Sequence, residues 1–167
     1  MNFTPELLLR GAAIGIGATV LIDLWALLQR RAFSVPTLDW ALVGRWIGHF
    51  RHGRFVHAPI GASAPVRGER ALGWLAHYAI GVAFGAALLA LCGAAWARQP
   101  TLWPALAFGL ATVAFPFLLM QPGLGAGLAA AKTPKPWLAR RRSLITHGLF
   151  GLGLYLCAWL LAALMPR

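Results

Sequence analysis

The chain has 167 residues, 59% of them hydrophobic and only 11% charged, with a formal charge of +11. Soluble domains carry about 25% charged residues, and here the apolar residues come in long runs, which excludes a soluble globular core and points to the membrane class. The positive charge lies between those runs without an aromatic–basic module, so it argues against nucleic acid as a partner and makes membrane lipids with anionic head groups the expected counter-ions.

The first apolar run covers residues 7–29. It opens with Glu6 and no positive cluster, then continues past Asp23 to a basic stop at Arg30 and Arg31. It therefore reads as a retained span rather than a cleaved signal. Gly11, Gly15, Thr19 and Asp23 stand four residues apart, on one helix face.

Residues 30–71 form the first basic loop. Thr37 is expected to cap a helix there, with Pro36 before it and Asp39 in its first turn. Trp40, Val43, Trp46, Ile47 and Phe50 fall on one side of that helix, and Arg45, His49 and His52 on the other. This is the pattern of an amphipathic helix lying in a membrane interface. From Gly53 to Gly68, with Pro59 and Pro65, the chain reads as irregular. His49, His52 and His57, with Arg51, Arg54 and Arg67, read as a solvated basic face. Glu69, between Arg67 and Arg70, is expected in a loop salt bridge.

The second run, 72–97, carries Gly73, His77, Gly81 and Gly85, again four apart. Small residues at this spacing let membrane helices approach closely. The simplest packing lays this stripe against the Gly11–Asp23 stripe within one chain; a homodimer seam is the other use for it. A turn at Arg98, Gln99 and Pro100 leads to the third run, 101–121. Pro104 falls in its first turn, where proline is tolerated, and Pro116 is expected to kink it.

The second basic loop, 122–142, begins with the glycine-rich stretch 123–131. That stretch either continues the third run past a kink or re-enters the bilayer edge. Lys132, Lys135 and Arg140–Arg142 follow, and the fourth run covers 143–165. His77 and His147 are each followed by glycine four residues on, a faint repeat between the two return spans.

At about 1.5 Å rise per residue, each run spans a hydrocarbon core about 30 Å thick. Backbone groups in lipid must be satisfied within their own segment, so the runs are helices. The expected fold is an all-α integral membrane protein, one membrane domain over 1–167. It is a four-helix transmembrane bundle with an amphipathic interfacial helix in the first cytoplasmic loop. Only Arg10, Arg98 and Arg167 lie on the side opposite the basic loops. That asymmetry sets loops 30–71 and 122–142 in the cytoplasm and both termini outside.

Three ionisable residues fall at a similar depth. Asp23 lies seven residues before Arg30, His77 seven after Arg70, and His147 five after Arg142, which is about 7–10 Å from the inner boundary. Gln121 ends the third run on the same side; Tyr78 is adjacent in sequence but is not counted in the layer. An isolated aspartate at this depth costs about 2.5–3.5 kcal/mol, so a hydrogen bond from Asp23 to His77 is expected, with His147 close by.

Three functions fit such a layer. It could be a divalent metal site of Asp23, His77 and His147, with Gln121 or water. It could be a proton-coupled site for a small solute or ion, lined by Asp23, His77, His147 and Gln121 with Arg67 and Arg70 at its mouth. It could also hold haem between His77 and His147. The plain alternative is an interhelical hydrogen bond that fixes register, worth about 1 kcal/mol. The rival class is a non-catalytic accessory or scaffold subunit that binds lipid or a larger membrane complex. Nucleophile, phosphate-loop and paired-carboxylate motifs are absent, and Cys92 and Cys157 lack metal or redox spacing.

Four strings carry a resemblance: 22–26 (Ile-Asp-Leu-Trp-Ala), 41–49 (Ala-Leu-Val-Gly-Arg-Trp-Ile-Gly-His), 64–78 (from Ala-Pro-Val-Arg-Gly-Glu-Arg to Leu-Ala-His-Tyr) and 120–125 (Met-Gln-Pro-Gly-Leu-Gly). Together the chain resembles a bacterial family of small inner-membrane proteins known only as a domain of unknown function. The likeness implies four spans and a bacterial inner membrane. It implies no activity, substrate or cofactor.

Overall fold

A computed structural model of the chain describes residues 5–165, so Arg167 lies outside the described residues. It has five helices of more than one turn: α1 (Pro5–Phe33), α2 (Trp40–Gly48), α3 (Glu69–Arg98), α4 (Leu102–Gly123) and α5 (Pro136–Leu164). α1, α3, α4 and α5 are long and apolar enough to cross a membrane, and the chain is an all-α membrane bundle.

Three boundaries differ from the sequence reading. α2 is capped by Asp39, not Thr37: the Asp39 carboxylate accepts a hydrogen bond from the Ala41 N–H at 2.9 Å, and a negative group also suits the positive end of the helix. α5 begins at Pro136 rather than 143, which takes Arg140–Arg142 out of the loop and into helix. Proline is pre-set for a first helical turn and arginine is a good helix former. α4 continues to Gly123. Its bend is a wide π turn over Pro116–Met120, closed by the Gln121 N–H on the Pro116 carbonyl, because Pro116 has no N–H to offer the preceding turn. The glycine-rich stretch then closes with a 3₁₀ turn at Leu128–Ala130.

The described chain forms two compact units. The first holds the chain up to Thr37, Tyr78–Thr112, and the chain from Thr146 on. Its core includes Ile14, Ala18, Leu88, Leu89, Phe150 and Leu154, each at most 4% exposed. Gly15 lies so close to α3 that a Cβ there would sit 2.7 Å from the Gly81 carbonyl carbon. Gly11 faces Gly85 and Ala86 in the same way, and Thr19, whose hydroxyl donates to the Gly15 carbonyl at 2.8 Å, lies against Gly81. The two stripes therefore pack on each other inside one chain. Gly109 and Gly151 allow a similar approach of α4 and α5.

The second unit holds Leu38–His77 and Val113–Ile145. Here α2 packs on the first turns of α3 through Gly44 and Gly73. Gly73, read from sequence as part of the seam with the first span, has the Trp40 carbonyl as its nearest neighbour. Arg45 is the clamp of this unit. Its Nε and Nη2 donate to both oxygens of Glu69 at 2.9 and 2.8 Å, and its Nη1 donates to the Gly61 and Ser63 carbonyls at 3.3 and 3.2 Å. Glu69 also accepts the Val66 N–H at 2.8 Å. The hydrogen bonds that Arg45 donates to Glu69 raise the Arg45 pKa above its ordinary value, against the opposing effect of burial. Glu69 does form a salt bridge, but it does so as the first residue of α3 and with Arg45 of α2, not within the loop. Part of the side read as solvated turns inward instead: His49 is 7% exposed, and its Nε2 hydrogen-bonds the Ala64 carbonyl at 3.0 Å, while Arg51, His52 and Arg54 are exposed. Pairing with Glu69 and backbone carbonyls makes burial of these polar groups tolerable.

Candidate functional site

The four spanning helices carry two polar pairs in the first unit. Along α1, Thr19 sits against Gly81, and the next turn brings Asp23 to α3, where the Tyr78 hydroxyl donates to Asp23 Oδ2 at 2.9 Å. The bond is part-buried. It orients a carboxylate among apolar helices, and the donor brings no charge.

The second pair ties α4 to α5. Thr112, 4% exposed, sends its one hydroxyl proton to the Gly109 carbonyl at 2.6 Å. Its oxygen lies 2.8 Å from His147 Nδ1. The hydroxyl has no second proton, so Nδ1 carries the hydrogen and Nε2 the lone pair. Thr112→Val is expected to cost about 1 kcal/mol of bundle stability, within the range for interhelical hydrogen bonds. It should also mix the His147 tautomers. Imidazole nitrogen NMR reads this directly, and an unaltered Nδ1–H signature in the variant would refute the assignment.

The other sequence candidates lie in the second unit. His77 is 7% exposed, stacked on Trp40 with ring centroids 3.9 Å apart and 25° between planes, and meets Trp74 edge-on at 5.7 Å. Gln121 Nε2 is 3.4 Å from the Ser143 hydroxyl, and its Oε1 is buried without a hydrogen-bond partner. Arg67 and Arg70 are exposed. Among the described residues, no group of three or more His, Cys, Asp or Glu side chains is arranged to hold a metal ion. Asp23 has a phenol beside it, His77 an indole and His147 a threonine hydroxyl.

Sequence reasoning missed Tyr78 and Thr112. Tyr78 follows His77 and shares the depth of Asp23, which was signal enough to include it; no pattern singled out Thr112. It also missed the inward turn of His57. The His57 Nδ1 lies 2.9 Å from the Ser63 hydroxyl and its ring packs edge-on to His49 at 5.0 Å, while its Nε2 is buried without a hydrogen-bond partner.

Residues 12–161 match the model of a family described as Protein of unknown function (DUF2938). No curated protein and no solved structure matches the chain.

Proposed function

Because the chain belongs to the DUF2938 family, whose description assigns no activity, we propose its function from the residues alone: it is a bacterial inner-membrane protein that binds a proton or a small cation at Asp23. Both basic loops face the cytoplasm and both termini face outward; the crowding of arginine and lysine into 30–71 and 122–142 supports this orientation. Exposed Arg67 and Arg70 lie where they would meet anionic head groups.

The observation that carries the reading is the Tyr78–Asp23 hydrogen bond, set one turn from the close contact of Thr19 with Gly81. An ionisable group within a spanning helix is a functional group by default. Tyr78 fixes the rotamer of the carboxylate and leaves its charge intact, as a site for a proton or cation requires. His147, with its Nε2 lone pair, is a further proton-accepting group within a spanning helix of the same unit.

Asp23→Asn keeps the shape and an acceptor for Tyr78 but removes the charge. Thermal unfolding of the purified protein in lipid nanodiscs, read against a panel of sodium, potassium, magnesium and ammonium salts and of acidic buffers, tests the reading. At least one cation, or acid itself, should raise the wild-type midpoint by several degrees, and the response should vanish in Asp23→Asn. Identical responses from both proteins would instead favour the accessory or scaffold class.

A further inference from the structure

We infer that the second unit carries a groove for the head group of an anionic phospholipid. The groove has a volume of about 550 Å³ and is lined by Val56, His57, Pro122, Gly125, Leu128 and Lys132, among others. That size lies within the range of small-molecule sites. Gly125, at φ 90°, lets the turn after α4 fold against the His57 carbonyl, where a side chain would collide. The His57 N–H donates to the Gly123 carbonyl at 3.0 Å and the Ile60 N–H to the Leu124 carbonyl at 3.0 Å, so the two walls are tied together by backbone hydrogen bonds.

Two residues with polar side chains, Lys132 and His57, belong to this otherwise apolar lining. Lys132 is exposed and carries the positive charge. The His57 Nε2 is buried and has no hydrogen-bond partner among the described residues. Ser63 can donate to Nδ1 across their 2.9 Å contact, which leaves Nε2–H as a donor. Buried polar atoms are nearly always satisfied, and an exception calls for a missing partner. A cation at the groove suits a phosphodiester monoanion, and Lys132 supplies it.

Charge and exposure decide which molecule bears the phosphate. Asp39 and Glu69 are the acidic residues of this unit; Asp39 caps α2 and Glu69 is paired with Arg45. The surplus of lysine and arginine disfavours the cationic end of a zwitterionic head group. Around the groove, Phe55, Val56 and Leu128 are 58%, 72% and 63% exposed. An apolar rim of that kind is matched by acyl chains, whereas a free phosphate leaves it bare.

The test uses the full chain in dodecyl maltoside, with native mass spectrometry and thermal unfolding in added phosphatidylglycerol, phosphatidylcholine or inorganic phosphate. Phosphatidylglycerol should remain bound and raise the unfolding midpoint; the other two should not. Lys132→Ala should lower phosphatidylglycerol occupancy about fivefold, the effect of one basic side chain near a membrane surface. Lys135→Ala, a neighbouring lysine outside the lining, should leave occupancy unchanged. Three results would each overturn the proposal: equal binding of phosphatidylcholine, equal stabilisation by phosphate alone, or equal loss in the two lysine variants. The groove stands apart from the Asp23 reading, since Asp23→Asn is expected to bind phosphatidylglycerol as the wild type does.

Discussion

Gly15→Leu is expected to be the most damaging single change in the first unit, costing about 3 kcal/mol, the upper end for overpacking a close-packed interior. A Cβ at Gly15 alone would lie 2.7 Å from the Gly81 carbonyl carbon and 3.0 Å from the Val82 Cα. Both are backbone atoms of a helix, so neither can turn aside as a side-chain tip would. The helices must separate, and the Tyr78–Asp23 bond about two turns further along α1 is lost with the seam. Equilibrium unfolding in bicelles measures the cost. Ile16→Ala, at a site 43% exposed on the same helix, is the control and should change stability by about 0.5 kcal/mol or less. If Gly15→Leu unfolds at the wild-type midpoint, the α1–α3 seam is wrong.

Arg45→Ala is expected to cost about 2–3 kcal/mol and to loosen the second unit first. Breaking one side of a fully buried ion pair costs about 3–5 kcal/mol. Here the side chains retain 13% and 17% exposure, so solvent screens part of that loss. Removing Arg45 strands the Glu69 carboxylate and also releases the Gly61 and Ser63 carbonyls. Hydrogen exchange should therefore accelerate in α2 and across the loop before α3. Arg45→Lys keeps the charge but not the two-pronged geometry, and should recover less than half of the lost stability. The double variant Arg45→Ala/Glu69→Ala should be less damaged than Arg45→Ala alone, because no buried charge is then left unpaired. Additive losses would show that the pair is decorative.

The four spanning helices were legible because long apolar runs have one solution in lipid, and the two small-residue stripes because residues four apart share a helix face. Helix ends were less so. Thr37 and Asp39 are both good caps, and only the geometry of the chain entering α2 decides between them. The basic run Arg140–Arg142 looks like loop by charge, yet Pro136 starts a helix that carries it. For the candidate site, counting residues from the arginine stops gives an expected height for Asp23, His77 and His147 but no bearing around each helix. Neighbours in sequence are turned by about 100°. His77 stacks on Trp40, and Tyr78 is bonded to Asp23. Arg45 and His49 were misread because an amphipathic pattern says which side of a helix is polar, not whether water or protein satisfies it.

The wide turn at Pro116–Met120 acts as a single-residue insertion retained inside α4. Every position after it is phase-shifted relative to a regular helix, which sets Gly123 flat against the Trp46 indole. Deleting one residue from the turn would rewind this stretch by roughly a quarter to a third of a revolution and swing Gly123 off that ring. The chain's length through this bend is thus itself a specification, and a one-residue gap there in a related sequence would mark a different docking of the tryptophan.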